Sequence, residues 1–497
     1  MKKSAGVEDA RSLLKNTSVS VVSLLLSQGA ALLSAMYIAR KLGPSVTGLY
    51  SMSFAIVTMG LALASFGTDP VLTREIAKDR KSTGRLLLSS LMLKLPACLV
   101  IYLVLVFLLR FDHGVTSDQR AMMIVVWLTL FTGAVELACR AVYSGLERQE
   151  ITSAIMTVAA SLRAGFTILV VYMGLRLVHM GTVVVVVGVA GTSFLMWILS
   201  RHANLEWKPD LTAAKALAVT GAPFLVMDVF LRVVDRFDYV YLKMMVAKDQ
   251  LGFYTSAYKL QDVVLIAALA ADNALFPIIA RRCEAGGAGL RKTWELMHKF
   301  LAISAVPIAV IFTLLADQII LSFYGPKFAG AGAVLRIVIW AAILFFPMIP
   351  SYRILISRDG QLRLTPLFVV RAVINVVLNI LLVPRIGIIG SAITMVVMEA
   401  VHFVLCFSFP FRSVERYPIA RWYLRPALAG IPMALFIWLL RDYYHVLLVA
   451  PASMLIYMIS LIAVKTFDQS DFQLIRGALR SKSAAPDEAE GEPPTVP

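Results

Sequence analysis

Charge is what this 497-residue chain has least of. Only 16% of its residues are Asp, Glu, Lys or Arg against 59% hydrophobic, and a water-soluble domain could not cover its core with so little polar surface. The four cysteines, Cys98, Cys139, Cys283 and Cys406, are scattered, which excludes a disulfide framework. The six histidines, His113, His179, His202, His298, His402 and His445, are too dispersed for a ligand set, so no metal site is expected. No G-x-x-x-x-G-K-[ST], G-x-S-x-G or H-E-x-x-H motif occurs, so neither ATP hydrolysis nor zinc chemistry is indicated. No catalytic residue and no cofactor are assigned.

Apolar runs fill the space those absences leave. Mean hydropathy is +0.79, and stretches of roughly 20 residues, the length that crosses about 30 Å of hydrocarbon as a helix, recur along the whole chain. Fourteen spans are expected, at 17–39, 48–69, 86–109, 121–143, 152–174, 179–200, 216–245, 252–280, 294–316, 331–355, 364–384, 387–408, 424–440 and 444–465. The first run is longer than a signal-peptide core and lacks an A-x-A cleavage site, so it reads as an uncleaved span.

Orientation follows from the 47 Lys and Arg residues, which favour the cytoplasmic side. With the N-terminus inside, inner segments carry 29 of them and outer connections 10. The excess recurs in every alternate loop and supports both termini lying in the cytoplasm of a multi-pass inner-membrane protein. The net charge of +16 is thus topological, and nucleic acid is not an expected partner. Outer connections are too short to carry an enzyme's acid and base.

An internal repeat organises the spans. Gly48-Leu49-Tyr50-Ser51-Met52-Ser53-Phe54 is echoed 204 positions later by Gly252-Phe253-Tyr254-Thr255-Ser256-Ala257-Tyr258, and the turn at Gly145–Gln149 matches Ser357–Gln361 at a separation of 212. This offset sets Arg163 opposite Asn375 and Thr167 opposite Asn379. The predicted fold is an all-α polytopic membrane protein of about 14 helices, with two pseudo-symmetric six-helix bundles and two C-terminal helices. Its segments are a cytoplasmic N-terminus (1–16), an N-lobe (17–200), a linker (201–215), a C-lobe (216–408), a loop with the final two spans (409–465) and a largely disordered tail (466–497). Six is even, so both units enter the membrane the same way and face each other across a central cavity.

Charges inside the spans are costly, about 2.5 to 3.5 kcal/mol each at the bilayer centre on insertion scales, and mark functional candidates. Lys94, Arg163, Arg232, Arg236, Lys259, Arg336 and Arg371 are the cations, with Lys299 nearer an end. In the seventh span Asp228, Arg232, Asp235, Arg236 and Asp238 share one helical arc. They read either as cavity lining or as an intrahelical ion-pair ladder, with a break expected at Gly221-Ala222-Pro223. Arg371, Asn375 and Asn379 form an i, i+4 stripe that suits phosphate and sugar hydroxyls or serves as interhelical glue. Asp228, Asp235, Asp238 and Glu399, with Glu136, Asp262 and Asp272, can bind a coupling H+ or Na+, or simply make salt bridges such as Glu136 with Arg140.

Several short motifs resemble one family. They are Ala39-Arg40-Lys41-Leu42-Gly43-Pro44, Phe66-Gly67-Thr68-Asp69 with Arg74-Glu75-Ile76-Ala77, Arg236-Phe237-Asp238, Phe323-Tyr324-Gly325-Pro326-Lys327-Phe328, and Asn375, Asn379, Pro384, Gly387 and Gly390. In this order they resemble the polysaccharide transporters, or O-antigen and exopolysaccharide repeat-unit flippases, of the multidrug/oligosaccharidyl-lipid/polysaccharide flippase superfamily. The resemblance implies alternating access moving a polyprenyl-diphosphate-linked oligosaccharide, working beside polysaccharide polymerase and chain-length proteins. Arg163, Arg232, Arg236, Lys259, Arg371, Asn375 and Asn379 are the substrate candidates. The clustered arginines of the lipid II flippase branch are not found, and twelve-helix drug extruders lack the extra C-terminal pair. A cation-coupled exporter is the alternative reading, and a membrane glycan polymerase or transferase the third.

Overall fold

The computed structural model describes residues 2–202, 208–265, 288–349, 365–408 and 420–467. Among them every regular element is helical, one of the two arrangements, with the closed β-barrel, that satisfy every backbone polar group in hydrocarbon. Asp272, Cys283, the turn at 357–361 and the tail beyond 467 lie outside the described residues.

The first helix, α1, runs Lys2–Ala64. Only Gly43 departs from helical angles within it (φ 81°, ψ 178°), followed by Pro44, whose fixed φ suits a helix start. The expected connection between the first two spans is therefore reduced to a one-residue kink. Next come α2 (Thr68–Lys78), α3 (Thr83–Leu109), α4 (Ser117–Trp127), α5 (Thr129–Gly145), α6 (Gln149–Tyr172) and α7 (Leu177–His202). A capping box starts α4: Gln119 N–H donates to Thr116 Oγ1 at 3.3 Å and Thr116 N–H to Gln119 Oε1 at 3.2 Å, satisfying two otherwise orphaned amides.

Helix α8 (Leu211–Met245) is capped by Asp210, whose Oδ1 accepts from Thr212 N–H at 2.8 Å. The break expected at Gly221-Ala222-Pro223 is absent, and α8 is one 35-residue helix with Pro223 inside it. A proline costs one internal hydrogen bond there, which is not enough to end a helix packed against its neighbours. Helix α9 occupies 248–265, followed by α10 (Ala288–Leu314), α11 (Ala316–Tyr324), α12 (Ala331–Phe345), α13 (Thr365–Ile386), α14 (Ile388–Ser408), α15 (Ala420–Leu440) and α16 (Val446–Ala463).

Two groups of helices emerge from the packing. In the first, α1 lies on α6, α6 and α4 on α7, and α2 and α3 on α5. In the second, α13 and α12 lie on α14, α10 on α12 and α15, and α15 on α16. Helix α8 belongs to both surfaces, packing on α13 on one side and on α1 and α2 on the other. Eleven helical stretches among the described residues, from Leu26–Ala64 to Val446–Ala463, are long and apolar enough to cross a membrane. The expected spans at 252–280 and 331–355 run partly outside the described residues.

The two copies of the repeat signature touch. A Cβ placed on Gly48 would stand 2.7 Å from Gly252 N, and one on Gly252 would collide with the Pro44 backbone, so only glycine permits this approach. Beside it Arg40 Nε donates to Phe323 O at 2.9 Å, and Lys243 pairs with Asp112. At the opposite end Gly67 packs on Gly221, and Asp210 N–H donates to Ser89 Oγ at 3.1 Å.

Candidate functional site

A cavity of about 720 Å³ lies between the two helix groups, walled by α1, α5, α6, α8 and α9 and by Tyr324 at the end of α11. Of the seven substrate candidates, Arg163, Arg236 and Lys259 line it, while Arg232, Arg371, Asn375 and Asn379 do not. Arg140, Glu136 and Asp262 complete its charged lining.

Helix geometry sets the three cations at one depth. Arg163 lies nine residues before the end of α6 and Arg236 nine before the end of α8, about 14 Å each at 1.5 Å per residue. Lys259 lies 11 residues into α9, about 16 Å from the same face. Each is half-buried. Arg236 extends over the Tyr239 ring, 5.5 Å from its centroid, and its Nη1 donates to Asp235 O at 3.3 Å.

Pairing separates the cations by role. Among the described residues Arg163, Arg236 and Lys259 have no carboxylate within 4.0 Å, whereas Arg140 is held by Glu136 at 2.7 Å. The expected Glu136–Arg140 bridge thus forms. Arg232 lies 3.4 Å from Asp228 and 4.0 Å from Asp235, which is the ladder arrangement along α8. Lys94 is 1% exposed and pairs with Asp69, and Arg336 pairs with Asp317 at 2.7 Å. Arg163, Arg236 and Lys259, with Arg140, outnumber Glu136 and Asp262 in the same lining, so the water-accessible space is a net positive well, and charges in a low-dielectric wall are weakly screened.

The polar stripe of α13 has a different surrounding. Arg371 Nη2 donates to Glu399 Oε1, whose Oε2 lies 3.1 Å from His402 Nδ1. Asn375 Nδ2 donates to Val234 O of α8 at 3.2 Å, and Asn379 Nδ2 to Asn375 O at 2.9 Å. All five side chains are buried. This is the interhelical-glue arrangement, and it joins α13 and α14 to α8. The repeat partners Arg163 and Asn375 consequently do not meet across the cavity, since their helices turn those positions in different directions.

The four carboxylates expected for ion coupling also carry protein partners. Asp228 and Asp235 flank Arg232, Glu399 holds Arg371 and His402, and Asp238 accepts from Tyr254 OH and, at 3.0 Å, from Tyr239 N–H. Asp238 thereby locks α9 to α8 through an aromatic cluster, with Tyr239 lying 5.9 Å from Tyr254 and 5.6 Å from Tyr258.

Composition and charge gave no hint of the aromatic lining. Tyr50, Phe54, Tyr239 and Tyr324 face the cavity, with Thr255 and Ser256; Tyr50 and Phe54 meet edge to face at 5.0 Å. The repeat signature was the available signal, because Tyr50, Ser51, Thr255 and Ser256 belong to it. It supplies cavity wall as well as packing glycines.

The sequence profile of the family described as "Polysaccharide biosynthesis protein" matches residues 13–282, just over half of the chain. A protein of Haloferax volcanii described as "Probable low-salt glycan biosynthesis flippase Agl15" is 24% identical over 400 residues, covering 77% of this chain and 80% of the relative. Among solved structures, "Lipid II flippase MurJ, inward closed conformation" superposes with a TM-score of 0.75 at 12% identity, covering 90% of this chain and 98% of the other. An inward-facing multidrug resistance MATE family transporter of the MOP superfamily gives 0.65 at 15% identity, covering 82% and 98%. These relatives are named flippases and transporters, and the fold is theirs.

Proposed function

The chain belongs to the polysaccharide biosynthesis protein family, and from that premise we propose that it flips polyprenyl-diphosphate-linked oligosaccharide repeat units across the cytoplasmic membrane by alternating access. The observation that carries this reading is that three cations, Arg163, Arg236 and Lys259, line one cavity and have no carboxylate within 4.0 Å among the described residues. Guanidinium and ammonium groups donate charge-assisted hydrogen bonds to phosphate oxygens, and a cationic drug would be repelled from the same well. The transporter is therefore better suited to an anionic headgroup than to the substrates of a cationic-drug exporter.

The cations come from both halves of the repeat, Arg163 from α6 in 17–200 and the other two from α8 and α9 in 216–408. A diphosphate between them neutralises their mutual repulsion and lets the 17–200 and 216–408 lobes approach. Contacts at Gly48–Gly252, Arg40–Phe323 and Lys243–Asp112 keep the end expected to face outward closed, and the cavity reaches the other end at Arg140, Ser144 and Gln149. Substrate would enter from the cytoplasmic leaflet with its lipid tail left in the bilayer, and the flipped product would pass to polymerase and chain-length proteins. Deletion of the gene tests the reading: lipid-linked repeat units should accumulate on the cytoplasmic side and surface polysaccharide should be lost. Normal polysaccharide export with no such accumulation would refute it.

A further inference from the structure

Two buried hydroxyls at the closed end of the cavity have no partner among the described residues. Tyr324 OH and Ser256 Oγ both line the cavity, Tyr324 is 1% and Ser256 2% exposed, and neither makes a hydrogen bond. Leaving such a group unsatisfied costs about 1 to 3 kcal/mol, and native interiors seldom retain one without a reason. Both lie outward of the cations. Ser256 is three residues nearer the start of α9 than Lys259, and Tyr324 ends α11 at the face where Arg40 holds the adjoining backbone. Around them stand the rings of Tyr50, Phe54 and Tyr239 and the hydroxyl-bearing Thr255.

We infer that this closed end is a sugar subsite, in which Ser256 Oγ and Tyr324 OH bond hydroxyl or amide groups of the first sugar while an aromatic face covers its apolar side. The chemistry is that of a neutral pyranose: aromatic rings supply apolar area with a polar edge, and hydroxyls can donate or accept as the sugar requires. No charged side chain is needed at that depth. The inference rests on the diphosphate reading, because only a phosphate held at Arg163, Arg236 and Lys259 sets the sugar against these hydroxyls. It adds a specificity element: the site discriminates a glycosylated lipid from the bare polyprenyl diphosphate.

The test uses the full-length protein in nanodiscs and two probes, farnesyl diphosphate and farnesyl diphosphate carrying one N-acetylglucosamine. Ser256→Ala and Tyr324→Phe should each weaken binding of the glycosylated probe about five- to tenfold, the scale of one hydrogen bond, and leave farnesyl diphosphate within about twofold. Neither variant should lower the thermal midpoint, since each removes an unsatisfied buried group. Equal weakening of both probes, no weakening of either, or a lowered midpoint would overturn the subsite. Failure of the unaltered protein to bind farnesyl diphosphate would remove the diphosphate reading, and the subsite with it.

Discussion

At the scale of single residues, partnership decides what a charge in a membrane helix does. Sequence identifies such charges readily, because Arg163, Arg232, Arg236, Lys259 and Arg371 interrupt apolar runs. It cannot say which are neutralised from another helix, as Arg371 is by Glu399, since that depends on which helices meet and how they are rotated. Arg163→Gln, Arg236→Gln and Lys259→Gln should each weaken farnesyl diphosphate binding roughly tenfold or more, given about 1.5 to 3 kcal/mol for a hydrogen bond to a charged group, while the protein inserts normally; titration in nanodiscs reads this. Glu399→Gln should behave differently. Removing one partner of a buried pair leaves the other uncompensated, at about 3 to 5 kcal/mol, so thermal unfolding in detergent should move down markedly. The joint Arg371→Met and Glu399→Leu replacement should recover much of that loss, because it removes both buried charges.

At the scale of elements, the periodicity and turn residues placed most helices, and the physical context of two corrected them. Pro223 leaves α8 unbroken because α2 and α13 pack against it, and Gly43 turns the first connection into a kink. The repeat signature was legible as a duplication, but contact between its two copies was not, since it arises only when pseudo-symmetric helices are brought face to face. That contact makes a prediction about movement. A side chain at Gly48 cannot fit against Gly252, so Gly48→Leu should hold apart this end, the one proposed to face outward. Loss of the Lys243–Asp112 pair by Lys243→Gln should favour the same state. With Ser51→Cys as a cavity-lining reporter, a membrane-impermeant maleimide added from outside should label both variants several-fold faster than the Ser51→Cys parent. Unchanged labelling in both would mean that this end is not a gate.

At the scale of the whole molecule, an all-helical membrane fold follows from composition together with run length, because a chain this poor in charge must satisfy its backbone within lipid as helices or a closed barrel, and continuous apolar runs of about 20 residues fit helices and not alternating barrel strands. Where the cavity lies was legible in part: Arg163, Arg236 and Lys259 were singled out, whereas the α13 stripe of Arg371, Asn375 and Asn379 proved to be buried between helices. The aromatic and hydroxyl lining escaped notice because Tyr, Ser and Thr are unremarkable in apolar helices until a shared void shows that they converge. The central claim is that a positive cavity between two lobes carries a diphosphate-linked glycan across the bilayer. It is tested most directly by reconstituting the full-length protein in liposomes and following a fluorescent, short-chain polyprenyl-diphosphate oligosaccharide from one leaflet to the other. The account predicts protein-dependent flipping that is abolished when Arg163, Arg236 and Lys259 are replaced together by Gln in a protein that still folds. Flipping at the unaltered rate by that triple variant, or none by the unaltered protein, would contradict it.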